Sequence, residues 1–237
     1  MTRWFQLAVR WMLRRFLRRS SSGLAAALLL ACSVRAPAPE WSLSASDAAQ
    51  RAMQAQLEGE VRVAALEWRK ARSETAKTGQ PALMARLALM QCALQVASLD
   101  WDACMDYRAY AADAPATEQA YHRYLYGAVL DSDVAWLPVA HQQIGVTLAR
   151  GQPVTAQQLG NITDARARLV AAAVALRIGA VDLSDAWPVV DAAASTQGWR
   201  RPLMAWMELE RRRLEQAGAN GQAKVLARRL AVLQHAP

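Results

Sequence analysis

The chain has 237 residues, which is enough for one domain with a sizeable core. Its formal net charge of +8 is typical of nucleic-acid-binding proteins, but six of the 28 basic residues are arginines within residues 1–32, where there is no acid. The remainder of the chain therefore carries a net charge of only +2. This distribution argues against a chain-wide basic surface for nucleic acid and indicates a targeting segment at the N terminus.

The first 31 residues have the three-part pattern of an export signal. A region rich in arginine ends at Arg19, and a polar break at residues 20–23 follows. The apolar run of residues 24–31 is far shorter than the roughly 20 residues that span a bilayer as a helix. It fits the apolar region of a signal peptide, which is about 7–15 residues long. An uncleaved anchor is disfavoured because arginines interrupt the preceding stretch.

The apolar run ends in the sequence LLACS at residues 29–33, which resembles the bacterial lipobox. A small residue before the cysteine lets the signal peptidase approach the bond, and the thiol then forms a thioether to diacylglycerol. The resemblance implies that residues 1–31 are a lipoprotein signal peptide and that Cys32 is lipidated. The alternative is a secreted protein in which Cys32 is an ordinary residue.

The residue after the cysteine bears on the location of the anchored protein. In lipoproteins, Asp at this position usually causes retention in the inner membrane, whereas this chain has Ser33. The resemblance therefore implies a lipid anchor in the bacterial envelope, at the periplasmic face of the outer membrane. A start at Met12 instead of Met1 gives the leader an ordinary length, and the sequence leaves both starts open.

The rest of the chain is divided into a tether and a helical domain. Residues 32–44 contain Pro37 and Pro39, which cannot continue a helix, so a flexible tether is expected there. Residues 45–237 are rich in Ala, Leu and Arg, and apolar residues recur at helical spacing, which predicts an all-α domain. Breakers divide this domain into about ten helix-sized segments, expected to form antiparallel pairs.

The first of these pairs resembles a tetratricopeptide repeat. The positions that carry the resemblance are Ala52, Gly59, Ala64, Trp68 and Ala71. Small residues let paired helices approach closely, and the large one fills the groove to the next repeat. Weaker copies of the second-helix pattern begin at Ala103, Ala140, Ala186 and Ala223. The resemblance implies an α-solenoid of about five helix pairs, while a helical bundle without repeats remains the alternative, because an alanine-rich chain also produces such matches by chance.

Two prolines fall inside stretches that are otherwise helical. Pro138 and Pro188 each follow a tryptophan, and proline is tolerated in the first turn of a helix. Asp133 and Ser184 precede them as candidate caps. New helices are therefore expected to begin near both prolines, with kinked helices as the alternative.

Groups that carry chemistry are sparse in this sequence. The three histidines have no ligand spacing, and neither a Cys-x2-Cys pair nor a phosphate-binding glycine loop is present. No cofactor, metal or small-molecule substrate is predicted, and the chain is not expected to be an enzyme. Tetratricopeptide-like lipoproteins of the Gram-negative envelope act as scaffolds for pilus and secretin assembly, outer-membrane barrels or cell-wall synthesis. The resemblance thus implies a scaffold that binds a protein partner, and the alternative is an accessory subunit or enzyme of the envelope with an unrecognised site.

The tetratricopeptide register also predicts which residues would contact a partner. Gln56, Gln95 and His122 fall on the inner face of the first helices, where their polar groups would hold the backbone of a bound segment. Residues 199–237 carry eight bases and three acids. This excess is interpreted either as a solvated helix face or as a docking surface for an acidic partner or anionic lipid.

Cys92 and Cys104 form an even pair once Cys32 is lipidated, and the envelope is an oxidising compartment. They are placed symmetrically about a turn expected near residues 98–100, so they face each other in an antiparallel hairpin. The repeat register puts Ala103, one residue earlier, at the point of closest approach. The sequence therefore predicts either a disulfide or two unbridged core thiols.

Overall fold

The computed structural model describes residues 38–101 and 104–235. Over these ranges the chain forms ten α-helices and two short 3-10 helices, without a strand, which confirms the all-α prediction. The helices are α1 (Glu40–Glu58), α2 (Val61–Ala76), α3 (Pro81–Ala97), α4 (Ala116–Leu125), α5 (Val139–Ala149), α6 (Ala156–Gly160), α7 (Ala165–Arg177), α8 (Leu183–Gln197), α9 (Arg200–Gln216) and α10 (Asn220–His235), with the first 3-10 helix at Met105–Asp113 and the second at Asp131–Trp136.

The predicted signal peptide and Cys32 lie outside the described residues. Within the described ranges, no helix has the length and apolar character needed to cross a membrane. The helical domain begins at Glu40, so residues 40–44, assigned above to the tether, belong to the first helix. Pro39 is the last breaker before this helix, and the residues that follow it contain no glycine or proline to delay the helix start.

Helices α1 and α2 form a hairpin whose contact face consists mainly of alanine. Ala52 and Ala71 are fully buried, which lets the two helices approach closely. Gly59 makes the turn with a φ of +85°, a conformation that L side chains rarely adopt. Trp68 is 2% exposed, and its indole N–H donates to Oε1 of Gln56 at 2.7 Å. The residues that carry the tetratricopeptide resemblance therefore lie at the turn and in the packed interior of this hairpin.

Helix α3 occupies the centre of the domain. It packs against α1, α2, α4, the first 3-10 helix and α7. Buried side chains lie on several sides of it, including Leu87, Leu89, Leu94 and Val96. A helix that is apolar around most of its circumference is stable in water only when other helices cover it, and these five neighbours provide that cover.

The segment after α3 differs from the regular helix predicted there. Residues 102 and 103, and with them the repeat position Ala103, lie outside the described residues. Leu99 and Cys104 both adopt left-handed backbone conformations, with φ of 61° and 73°. Such residues interrupt a right-handed helix. The chain then continues as the first 3-10 helix, where an α-helix was expected.

The two prolines behave differently from each other. Pro138 directly precedes α5, as predicted, while the carboxylate of Asp133 accepts from the backbone N–H of Leu130 and does not cap α5. Pro188 lies inside α8, which already begins at Leu183. The expected helix start near Pro188 is therefore displaced by about one turn, and Ser184 is a helical residue without a capping role.

Helix α9 connects the C-terminal part of the domain to its beginning. It packs against α8 and α10, and also against α1. Trp206 is fully buried, and its indole N–H donates to the carbonyl of Ala97 at the end of α3 at 3.0 Å. In a solenoid each repeat contacts only its neighbours. Here, by contrast, the contacts of α9 with α1 and of α3 with α7 join segments that are far apart along the chain.

Most of the basic residues after residue 198 are paired with acids. The ion pairs are Arg200–Glu60, Arg201–Asp100, Arg211–Glu208, Arg211–Glu215, Arg212–Glu208, Arg213–Glu210 and Arg229–Asp191. These pairs neutralise much of the positive charge locally. They favour the interpretation of this region as a solvated helix face over that of a basic docking surface.

Candidate functional site

An apolar groove lies where α3, α4, the end of the second 3-10 helix and the start of α5 meet. Its cavity volume is about 560 Å³. The lining residues are Arg86, Leu89, Met90, Thr117, Glu118, Tyr121, Ala135, Trp136, Leu137, Pro138, Val139 and Gln142. Volumes of about 300–1,000 Å³ with mostly apolar walls and a few polar groups are typical of binding sites.

The groove has a buried apolar floor and an exposed apolar rim. Leu89 and Leu137 are 2% and 3% exposed and form the floor. Trp136 and Val139, by contrast, are 52% and 84% exposed. Pro138, between them, separates the 3-10 helix from α5 and holds both side chains at the groove. A large aromatic and a β-branched residue left in water beside an apolar cavity are typical of an interaction surface.

The position of the floor depends on a glycine in α5. A Cβ added at Gly145 would lie 2.5 Å from Cδ1 of Leu137. Glycine in the middle of a helix costs about 1 kcal/mol relative to alanine. This cost is offset here because the missing side chain leaves room for Leu137 beneath the groove.

A charged pair lies at one end of the groove. Nε of Arg86 donates to Oε1 of Glu118 at 2.7 Å, and the hydroxyl of Thr117 donates to Oε2. Burial alone would raise the pKa of Glu118, but the hydrogen bonds from Thr117 and Arg86 outweigh it and hold the pKa below its usual value. Glu118 is therefore a carboxylate at neutral pH, although it is only 5% exposed.

An aromatic cluster lies behind the groove wall. Tyr121 lines the groove and contacts Tyr124 and His141, with ring centroids 6.1 and 5.5 Å away. Nδ1 of His141 and the hydroxyl of Tyr124 are hydrogen-bonded at 3.2 Å, and both residues are buried. Burial lowers the pKa of His141 to about 4 and raises the pKa values of Tyr121 and Tyr124. All three rings are therefore uncharged at neutral pH.

This chain matches no protein-family model, no curated protein and no solved structure.

None of the three partner-contacting residues predicted from the sequence lines the groove. Gln56 does not lie on an accessible inner face as expected: it is 4% exposed, and its side-chain amide accepts from the indole of Trp68 and donates to the carbonyl of Gln91 inside the domain. Gln95 is half-buried near the end of α3, where its carbonyl accepts from the backbone of the following turn.

His122 belongs to a second aromatic group. Its ring stacks on Tyr107 at 4.4 Å and contacts Tyr126 at 4.8 Å. Arg177 lies over the rings of Tyr126 and Trp101. Burial, together with the neighbouring arginines, lowers the pKa of His122. The half-buried ring of His122 is thus held by aromatic packing, which is a structural role in the domain.

The structure joins Cys92 and Cys104 in a disulfide, with Cα atoms 4.8 Å apart. Both cysteines are buried, at 1% and 4% exposure. The bond connects α3 to the segment before the first 3-10 helix. It therefore anchors the two left-handed residues of that turn to the centre of the domain.

A larger concavity of about 720 Å³ lies beside α1 and the start of α7. Its walls are mainly polar, and Gln50, Gln54 and Gln197 are exposed side chains on it. Trp199 also lines it, and the buried indole N–H of Trp199 has no hydrogen-bond partner among the described residues. The smaller groove is the better candidate site, because exposed apolar side chains cluster at its rim.

The groove residues were missed because they come from three separate segments of the chain. The one local signal is the run Trp136-Leu137-Pro138-Val139, in which four apolar residues fall at a helix boundary. Pro138 alone accounts for the predicted helix start in this run, but not for the exposure of its neighbours. Trp136 and Val139 flank a turn bounded by proline and do not belong to the apolar face of a helix. This pattern indicates the exposed rim of the groove.

Proposed function

We propose that this chain is a membrane-anchored scaffold lipoprotein that faces the periplasm and binds a protein partner of the cell envelope in the groove between α3, α4 and α5. The observation that carries the proposal is the exposure of Trp136 and Val139 at the rim of an apolar cavity. Covering such side chains with a partner removes apolar surface from water, at about 25 cal/mol per Å². Tryptophan is also enriched among the residues that dominate binding energy at protein interfaces.

The chemistry of the groove favours binding over catalysis. The groups that could transfer protons there are Glu118, Tyr121 and the buried His141 behind the wall. Glu118 is held as a carboxylate by two hydrogen bonds, and the pKa shifts of the two rings keep them uncharged at neutral pH. None of these groups is poised to exchange a proton near pH 7, which is what general acid–base catalysis requires.

The anchor of the proposed scaffold is Cys32. The lipobox-like sequence at residues 29–33, after a basic leader, supports cleavage before this cysteine and its lipidation. Ser33 supports the outer membrane as the destination. Incorporation of radiolabelled palmitate into the wild-type protein, and its loss in Cys32→Ala, is the expected result. A wild-type protein without label contradicts the anchor but leaves the groove proposal standing.

The tetratricopeptide-like arrangement is part of the same proposal. The α1–α2 hairpin supports it, because its alanines and Trp68 pack as the repeat pattern requires. We propose that the later copies, at α5, α8 and α10, are degenerate repeats of this unit. Ile144 and Val190, both fully buried, fall at the position of Trp68, whereas in α10 the exposed Ala227 holds that position and the buried Leu230 holds that of Ala71.

The groove is tested by recovering partners from solubilised membranes with variants of the full chain. Trp136→Ser together with Val139→Ser should abolish recovery of the partner, because both changes remove the apolar rim. The matched control is Val232→Ser on α10, since Val232 is 72% exposed but lies outside the groove. Partners recovered equally with the rim variant and the control would show that the groove is not the binding site.

A further inference from the structure

The orientation of Arg86 at the end of the groove indicates the chemistry of the partner. Its side chain is 61% exposed, whereas that of Glu118 is 6% exposed. Nε, on the inner edge of the guanidinium, donates to the Glu118 carboxylate at 2.7 Å. An otherwise flexible arginine that lines the groove is therefore held by a buried partner, while most of its side chain remains exposed to solvent.

The outer edge of the same guanidinium remains available. A guanidinium has five N–H groups, and the hydrogen bond to Glu118 uses one of them. Within the described parts of the chain, no acceptor is bonded to the Nη1 and Nη2 groups of Arg86. These two groups form the edge that binds a carboxylate through two parallel hydrogen bonds.

Glu118 forms an ion pair with Arg86 but accepts only from Nε, so it leaves the Nη1 and Nη2 groups without an acceptor. One of its oxygens accepts from Arg86 and the other from Thr117, and the carboxylate is buried beneath the arginine. The remaining lining residues of the groove are uncharged. An occupant of the groove thus meets apolar surface along most of its length and a fixed set of cationic donors at one end.

We propose that the partner segment carries an Asp or Glu side chain next to its apolar anchor residues and that its carboxylate binds Nη1 and Nη2 of Arg86. This inference rests on the proposed function of the groove and specifies its partner. Prior fixation of Arg86 by Glu118 lowers the conformational entropy lost on binding, which is the usual advantage of a preorganised group. The buried Glu118 acts here as a positioning residue for Arg86.

The experiment uses the full-length protein in detergent micelles and a displayed library of random twelve-residue peptides as the probe. We expect the selected peptides to combine apolar residues with an acid. For the tightest peptide, affinity is then measured by fluorescence anisotropy with wild-type protein and with Arg86→Gln. A charge-assisted hydrogen bond of about 1.5–3 kcal/mol corresponds to a loss of roughly 10- to 150-fold in affinity.

A double-mutant cycle separates a direct contact from a structural effect. The acid of the peptide is replaced by its amide, which leaves the protein unchanged and gives an interpretable result even if Arg86→Gln disturbs Glu118. We expect the amide peptide to lose a similar factor with the wild-type protein and to lose no more with Arg86→Gln. Additive losses would overturn the inference.

The remaining outcomes are also decisive. Selected peptides that lack acids, yet depend on Trp136, would overturn the carboxylate inference while leaving the proposed groove intact. A library that yields no binder would contradict the proposed function itself. Displacement of the peptide by mixed micelles that contain phosphatidylglycerol, but not by those that contain phosphatidylcholine, would show that lipid headgroups occupy Arg86 and would overturn the acidic partner.

Discussion

Replacement of His141 by Phe should change how the stability of the domain depends on pH. His141 is 3% exposed, hydrogen-bonded to Tyr124, and has its pKa lowered by burial to about 4, although the charge of Asp164 opposes this shift. In the unfolded chain the pKa of a histidine is about 6.5. Between these two values the unfolded state binds a proton that the folded state does not, so stability falls as the pH is lowered through this window.

The size of the effect follows from the two pKa values. At pH 7 the histidine is mostly neutral in both states and contributes almost nothing. At pH 5 it is protonated in the unfolded chain but still neutral in the fold, which destabilises the wild-type domain by about 2 kcal/mol relative to pH 7. The phenylalanine variant cannot bind this proton. The substitution also costs free energy of unfolding because it leaves the Tyr124 hydroxyl unpaired, but this cost is the same at both pH values.

The assay is urea unfolding of the purified protein, followed by circular dichroism at pH 7 and pH 5. The wild type should lose about 2 kcal/mol more than His141→Phe between the two pH values. His122→Phe is the comparison: burial also lowers the pKa of His122, but this ring is only half-buried, so a smaller difference from the wild type is expected. Equal losses in the wild type and His141→Phe would refute the reasoning, since they would show that the buried ring keeps an ordinary pKa.

Three further changes test other parts of the fold. Replacing Cys92 and Cys104 together by alanine should lower the free energy of unfolding by roughly 3 kcal/mol in urea titrations. A reductant should lower the free energy of unfolding of the wild type by a similar amount, and an unchanged value would contradict the disulfide. Gly145→Ala should displace Leu137 and cost a net of about 1 kcal/mol, with weaker partner recovery; unchanged recovery would mean that the floor does not shape the groove. Trp206→Phe should cost about 2 kcal/mol, measured as a lower Tm, because it removes a buried hydrogen bond and leaves a void.

Local features of the fold were predictable where a single residue type decides the backbone. The turn at Gly59 needs a positive φ, which favours glycine, and the start of α5 follows from the fixed φ of Pro138. The same reasoning failed at Pro188. Leu183 and the residues after it are already helical, and a proline in the second turn removes one backbone hydrogen bond at most without ending the helix.

Features that depend on distant contacts were not predictable from local sequence. The first 3-10 helix replaces an expected α-helix because Cys104 has a left-handed conformation and is bonded to Cys92 in α3. The tetratricopeptide register assigned Gln56 to a partner-binding face, whereas here the indole of Trp68 donates to its amide oxygen inside the hairpin. Amphipathic spacing shows which side of a helix is buried, but it does not show which helix covers it.

The packing of α9 against α1 has a consequence for the order in which the molecule acquires its structure. Because α9 follows α1 by most of the length of the domain, the part of α1 that α9 covers stays exposed until α9 is in place, although α2 covers the alanine face of α1 early. Contacts of such high sequence separation slow folding and leave apolar surface open to wrong associations in the meantime.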